Sequence, residues 1–479
     1  MSAPTAGRGG HDAVVVGSGP NGLAAAAVLA KAGLDVVVLE AEDTPGGGAR
    51  TAELTVPGLK HDICSAIHPF GAASPVFAEL GLDRYGLRWS HPEVAVAHPL
   101  DDGSAGVILR DLDATADALG EDGEVWRSLY APLVEDWDAL AAEILRPVVH
   151  VPRHPFKLAR FGLQGMVPST VLARRFATER GRALWAGIAA HAYLPLSRPF
   201  TSAFALMMGA AGHAAGWPAA EGGSGAVTAA LLAFLDERGV EVHTGTRVTA
   251  LGELPRTRAV LFDLTPKQVL AICGESLPPL MRRRYAQWRY GAAAFKVDLA
   301  VEGGVPWTAE AARRAGTVHV GGTIEEIAEG EAMVARGEVP ERPFVLVAQQ
   351  YVADPSRSVG DVHPVWAYCH VPNGWTGDAT DRILDQIERF APGFRDRIVG
   401  QAVLDPTWFE NHNANYVGGD ISGGSHGGLQ LLGRPVISPD PYRTGLPGVW
   451  MCSSSTPPGG GVHGMCGANA AASVLKALG

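Results

Sequence analysis

Three glycines, Gly17, Gly19 and Gly22, are spaced as GxGxxG directly after the apolar run DAVVV and at the head of an Ala-rich segment, LAAAAVLAKAG. A strand turning into a helix through such a loop presents main-chain N–H groups and a positive helix end to a pyrophosphate. Gly17 permits the tight turn, Gly19 the close backbone approach and Gly22 the contact of helix with strand. Glu40 ends the next apolar run, DVVVLE, where its carboxylate can accept ribose hydroxyls. The pattern predicts a βαβ dinucleotide site. A second loop, TPGGGAR, sets Gly46, Gly47, Gly48 and Arg50 just after Glu40. More flexible backbone with a guanidinium suits a second approach to the pyrophosphate and the ribityl side, which favours FAD over NAD. Near the C-terminus, STPPGGGVHGMCG puts Gly459, Gly460 and Gly461 ahead of a helix. Glycines there let a helix N-terminus lie against a flat ring, as an isoalloxazine floor requires.

The acid–base candidates are fewer. His463 in that turn and His68 in SAIHPF carry imidazoles, which titrate near neutrality. His412 and Tyr416 in ENHNANYVGGD, and His191 and Tyr193 in AAHAYLP, are candidate pocket-lining groups. Cys452 and Cys466 flank the last turn and read as small buried residues. No His, Cys or carboxylate cluster has metal-ligand spacing, so no metal is expected. Gly223, Ser224 and Gly225 form GxG without a third glycine or a preceding strand, which argues against an NAD(P)H site there.

These residues need a large folded scaffold. The chain has 479 residues, 47% hydrophobic and 19% charged, a balance that builds a buried core. A formal net charge of -11 excludes nucleic acid as the expected partner. The five cysteines lack CxxC spacing, which points to a reducing, cytoplasmic setting, and residues 1–10 contain no apolar signal segment. The run 200–216 is too short to span a bilayer and reads as core or pocket wall. Residues 146–176 are locally basic and apolar; they read first as a solvated helical face, with peripheral membrane contact as the alternative.

Residues 12–40 form one strand–helix–strand unit, and 222–248 give a Gly turn, a helix ended by Gly239 and a short strand. Residues 126–184 have helical periodicity, whereas 291–301, 343–353 and 364–371 are strand-like. The expected fold is α/β: a discontinuous Rossmann-like domain of 1–75, 216–270 and 415–479. Interleaved with it is a mixed-sheet plus helical substrate domain of 76–215 and 271–414.

The motifs GSGPNGLAAA, Glu40 followed by GGGAR, GGSGAVTAAL, WAYCHVPNG, IERFAPGF, NYVGGDI and SSSTPPGGGVHGMCG together resemble the phytoene desaturase-like flavoproteins. The resemblance is to their branch of pyridine nucleotide-disulphide oxidoreductase domain-containing proteins, and it spans almost the whole chain. It implies an FAD domain of the p-hydroxybenzoate hydroxylase or amine oxidase type. The implied FAD contacts are Gly17, Ser18, Gly19, Pro20, Asn21, Gly22, Glu40, Ala41, Gly47, Gly48, Ala49 and Arg50, the strand residue Val248 near the adenine, and Gly460, Gly461, Val462 and His463. One departure is that 249–261 is too short for the three-stranded insertion usual in the broader fold. Thiol–disulphide chemistry is not expected, because the sequence has no paired thiols and no second fingerprint.

The implied activity is hydride transfer between flavin N5 and an organic, hydrophobic, isoprenoid- or lipid-like small molecule, as in a dehydrogenase, desaturase or oxidase. A redox-neutral isomerase and an amine oxidase are the alternatives. Non-catalytic prenyl-lipid binding proteins of the same fold lack the complete fingerprint found here. Relatives that handle carotenoids touch membranes, which bears on the 146–176 segment.

Overall fold

The computed structural model describes residues 10–479, so most of the N-terminal segment read above for a signal lies outside the described residues. Strands β1 (His11–Val16), β2 (Val36–Leu39), β3 (Glu241–His243), β4 (Thr257–Phe262) and β5 (Val449–Met451) form one parallel sheet in the order β5-β4-β1-β2-β3. The central strands are continuous apolar runs because both faces are covered. On one face lie α1 (Pro20–Lys31), α2 (Gly225–Asp236) and the terminal α3 (Met465–Leu478), joined through Leu23, Leu231, Phe234 and Val474.

Pro20 starts α1 at a position where its missing N–H costs nothing, and Gly33, at φ +88°, follows its end. Gly467 of α3 faces Asn21 O so closely that a Cβ there would collide, so α1 and α3 cross in near-backbone contact.

Elements on the far side of two of the expected boundaries pack on this sheet. Helices Pro266–Cys273 and Pro279–Ala286 cover the other face of this sheet, with Val269 and Met281 against Val14 and Val16, so this body continues past residue 270. Val76, Phe77, Leu80 and Leu87 pack in the α1 cluster, which carries it past residue 75 as well. The stretch 249–256 contains only the single turn Leu251–Glu253 before β4.

The second sheet has seven strands, in the order Ile398–Leu404, Ala293–Glu302, Val362–Val371, Val345–Ala348, Ala315–Val320, Val94–Pro99 and Ala105–Ile108. All neighbours are antiparallel except Ala315–Val320 beside Val94–Pro99. Strand alternation sends Phe295, Val297, Leu299 and Val301 to a core under helix Thr380–Phe390. The opposite face meets a helical lobe built on Gly123–Glu135, Glu179–Ala190 and Thr201–Ala214. The expected strand at 343–353 is limited to Val345–Ala348, because the chain then turns into helix Gln350–Ala353. The Gln349 amide, tied to Trp307 and to the carbonyls of Ala312 and Ala315, anchors that turn.

Candidate active site

A cleft of about 510 Å³ runs from the carboxyl ends of β1, β2 and β4 to the second sheet and the helical lobe. In open parallel sheets this is where ligands bind. Gly17 takes φ +102°, which the turn from β1 into α1 requires, and a Cβ on Gly22 would strike Gly17 O. The Glu40 carboxylate, 7% exposed, accepts the N–H of Ser18 at 2.8 Å and that of Glu42 at 2.9 Å, and also the Ser18 hydroxyl. These bonds hold it at the lip of the glycine loop.

Arg50 is positioned by its own loop. Its guanidinium donates to Thr44 O at 2.5 Å and Pro45 O at 3.3 Å, and lies 3.3 Å from His412 Nε2. The His412 ring stacks on Trp408, with centroids 4.5 Å apart and planes at 15°. Burial and the Arg50 charge hold its pKa down to about 4, so His412 meets the guanidinium as a neutral acceptor.

Most of the expected cofactor residues line the cleft: Gly17, Ser18, Gly19, Pro20, Asn21, Glu40, Ala41, Gly47, Gly48, Arg50, Val248, Gly460, Gly461 and Val462. Gly22 and Ala49 do not. Gly22 is packed beneath the loop, and Ala49 is fully buried with both main-chain groups bonded, to Gly46 O and to the Thr228 hydroxyl. Val248 lies beyond β3 rather than in it, since the strand closes at His243.

The four acid–base candidates divide evenly. His68 and Tyr416 line the cleft, whereas His412 and His463 do not. His463 is 2% exposed; its Nδ1 accepts the Met465 N–H at 3.0 Å, and its carbonyl accepts the Ser74 hydroxyl at 2.7 Å. Burial lowers its pKa to about 4, so a neutral imidazole props the Gly459–Val462 turn from behind. The ring, expected beside the reacting atoms, is not part of the cleft wall. His68 Nε2 lies 2.9 Å from Ser224 Oγ, whose own proton goes to Ser65 O, so His68 is the donor. Burial holds it to about 4 as well. Burial raises the Tyr416 phenol well above its ordinary range, and its hydroxyl stands where a Cβ on Gly48 would sit.

Sequence reasoning passed over Asp263. It follows β4 as Gly17 follows β1, its Oδ2 accepts the Gly22 N–H at 3.0 Å, and it lines the cleft. The available signal was the apolar run AVLFD, a strand ending on a carboxylate. The far half of the cleft is walled by Tyr193, Met207, Trp217, Leu346, Trp366 and Tyr368, with His191 beside them. The 200–216 run thus supplies pocket wall through helix Thr201–Ala214. His191 Nε2 lies 3.0 Å from His319 Nε2, and burial holds His191 to about 3. The Gly223–Gly225 turn is packed against Thr51 and Asp62, with no part in the cleft.

The groove fits a long dinucleotide: it offers a glycine-lined helix N-terminus, a carboxylate at the end of β2, a second glycine loop with an arginine, and a third glycine turn before α3. Residues 15–80 match the family described as an NAD(P)-binding Rossmann-like domain. The mouse (Mus musculus) pyridine nucleotide-disulfide oxidoreductase domain-containing protein 2 is 24% identical, over 98% of this chain and 94% of its own length. Hydroxyneurosporene desaturase of Cereibacter sphaeroides is 25% identical, over 97% of both. Among solved structures, a putrescine oxidase variant shares the fold, at TM-score 0.63 and 18% identity over 98% of this chain and 99% of that one. Fold, groove and relatives are those of an FAD-dependent oxidoreductase. Within that class, the full-length sequence similarity includes the domain-containing protein and the desaturase.

Proposed function

We propose that this chain oxidises an uncharged, apolar organic substrate of lipid- or isoprenoid-like character as an FAD-dependent dehydrogenase or desaturase. The observation that carries this reading is the composition of the cleft: every Asp, Glu, Lys and Arg on its wall belongs to the nucleotide side, namely Glu40, Glu42, Arg50, Arg247 and Asp263. The substrate half offers only aromatic, aliphatic and neutral polar groups. Burying a charged substrate there without a partner would cost several kcal/mol.

FAD, when bound, supplies the two-electron chemistry. The protein's part is to orient the substrate by apolar contact, exclude water and offer polar groups at a few points. His68 presents a neutral ring at the cleft wall, and Tyr193, Tyr368 and His191 present theirs from the far side.

Amine oxidation is less well supported. Tyr193 and Tyr368 face each other at 15°, but their centroids are only 6.2 Å apart. A group held between two ring faces needs roughly 7 Å, two van der Waals contacts. Among the described residues, no carboxylate lines the substrate half of the cleft to meet an ammonium.

Peripheral membrane contact goes with this substrate class. Residues 144–178 contain no Asp or Glu, and Val151, Phe156 and Leu163 are exposed there among Arg153 and Arg160. Such a face favours an anionic bilayer surface.

The test is anaerobic mixing of the flavin-loaded protein with unsaturated lipids, isoprenoids and primary amines. Bleaching of the flavin band by a lipid or isoprenoid supports the proposal, and bleaching by amines alone refutes it. Product formed without bleaching would mark a redox-neutral isomerase.

A further inference from the structure

We propose that Asp263 carries a proton in the FAD complex, so that the cofactor and one proton bind together. The inference rests on the FAD reading of the cleft and concerns the place where the pyrophosphate would meet the helix.

The N-terminus of α1 is the anion-binding end of the fingerprint, because its first N–H groups are unpaired within the helix and the helix dipole is positive there. In this chain a carboxylate already stands at that end. Asp263 is 8% exposed, its Oδ2 accepts the Gly22 N–H at 3.0 Å, and a Cβ placed on Gly19 would lie 2.6 Å from the same oxygen. The parallel register of β1 and β4, with Val16 beside Phe262, fixes it there, and the Asp263 N–H donates to Val16 O at 2.8 Å.

The groups around Asp263 give an ionised carboxylate little help. From β2 comes Glu40, a like charge. From the 413–416 loop come the Asn415 amide, which donates to the Asp263 main-chain oxygen at 3.0 Å, and Tyr416. β5 is followed by Cys452, and α3 supplies Cys466. Burial raises the pKa of these last three acids, and Asp263 adds to the rise, so they stay neutral. No cation pairs with Asp263 among the described residues. Burial pushes its pKa up to about 7; Glu40 adds to the rise, and the Gly22 and Gly19 amides oppose it. A pyrophosphate brings two more negative charges to the same helix end. Like charges within about 4–6 Å disfavour ionisation further, and protonation removes the conflict.

The sign follows from linkage. With Asp263 near 7 before binding and higher after it, FAD affinity is full at low pH and weakens as pH rises through 7, by roughly tenfold per pH unit up to the bound-state value. Asp263→Asn keeps an oxygen for the Gly22 N–H but cannot ionise, so its affinity should be flat with pH.

The experiment is a fluorescence titration of the flavin-stripped full-length protein with FAD across pH 6–9. Proton uptake is read in parallel with phenol red in weakly buffered solution near pH 7.5. The expected result is a pH-dependent affinity with net proton uptake in the wild type and a flat profile in Asp263→Asn. FAD binding that is pH-independent in the wild type, or equally pH-dependent in the variant, overturns the proposal. If the variant fails to fold, absence of proton uptake by the wild type overturns it alone. Absence of FAD binding at every pH overturns the cofactor reading together with it.

Discussion

Replacing His463 by alanine should weaken the fold and the cofactor site more than the chemistry. The imidazole is 2% exposed, and its Nδ1 is the acceptor for the Met465 N–H at the head of α3. Leaving that buried donor unpaired costs about 1–3 kcal/mol. Removing the ring leaves ~60 Å³ unfilled, which at ~24 cal/mol per Å³ adds about 1.5 kcal/mol. The Ser74 hydrogen bond goes to the main-chain oxygen and survives the change. Because the lost contacts hold the turn carrying Gly460 and Gly461, FAD dissociation should also rise, by ~10-fold if about 1.4 kcal/mol of the loss falls on that turn. His463→Asn can still accept from Met465 and should recover the hydrogen-bond share.

Urea unfolding and flavin-release fluorescence measure these quantities, and pH adds a check on sign. Burial holds the imidazole near 4 against an ordinary 6.5, so the folded state favours the neutral ring. The wild type therefore loses stability as pH falls from 6.5 toward 4, and the gap to His463→Ala narrows. Unchanged stability and flavin release, with a roughly 100-fold fall in turnover of the size expected for lost proton transfer, would refute this positioning role.

Three further outcomes follow from the same geometry. Gly48→Val should bind FAD poorly even if it folds, because its Cβ would collide with the Tyr416 hydroxyl at the cleft wall; equilibrium dialysis with FAD reads this. NADPH should reduce the bound flavin slowly or not at all, since the second GxG turn is packed against Thr51; rapid, saturable bleaching in anaerobic stopped flow would contradict that. Sedimentation with vesicles containing anionic lipid should fall for Phe156→Ser combined with Leu163→Ser, while flavin content stays unchanged; equal binding by both proteins would remove the membrane surface.

The nucleotide site was legible in the sequence because its signals are local. Gly17 to Gly22, Glu40 and the Gly47–Arg50 loop each follow a strand within one βαβ unit, so spacing alone orients them. Asp263 was not legible as a site residue, since its position depends on the register of β4 against β1 across 241 residues from Gly22. The orientation of His463 was hidden for a different reason. Its sequence position beside the glycine turn is right, but the free N–H of Met465 draws the ring behind that turn. The substrate half was the least legible, because Tyr193, Trp217, Leu346 and Trp366 come from separate segments that meet only through the second sheet and the helical lobe. Past the expected boundaries at 75 and 270, short helices after a strand or loop pack back on the nucleotide sheet, a long-range contact that spacing does not reveal.

The central claim is that the glycine-lined cleft holds FAD, and the most direct test is the cofactor itself. The natively purified protein should show a flavin absorption band, and heat or acid should release FAD, identified by chromatography at about one per chain, since no motif compels a covalent link. Glu40→Ala should lose most of it, because that carboxylate lines the cleft at the end of β2, where a ribose acceptor is expected. A folded, colourless wild-type chain that takes up no added FAD, or a Glu40→Ala variant with full FAD occupancy, would contradict the account.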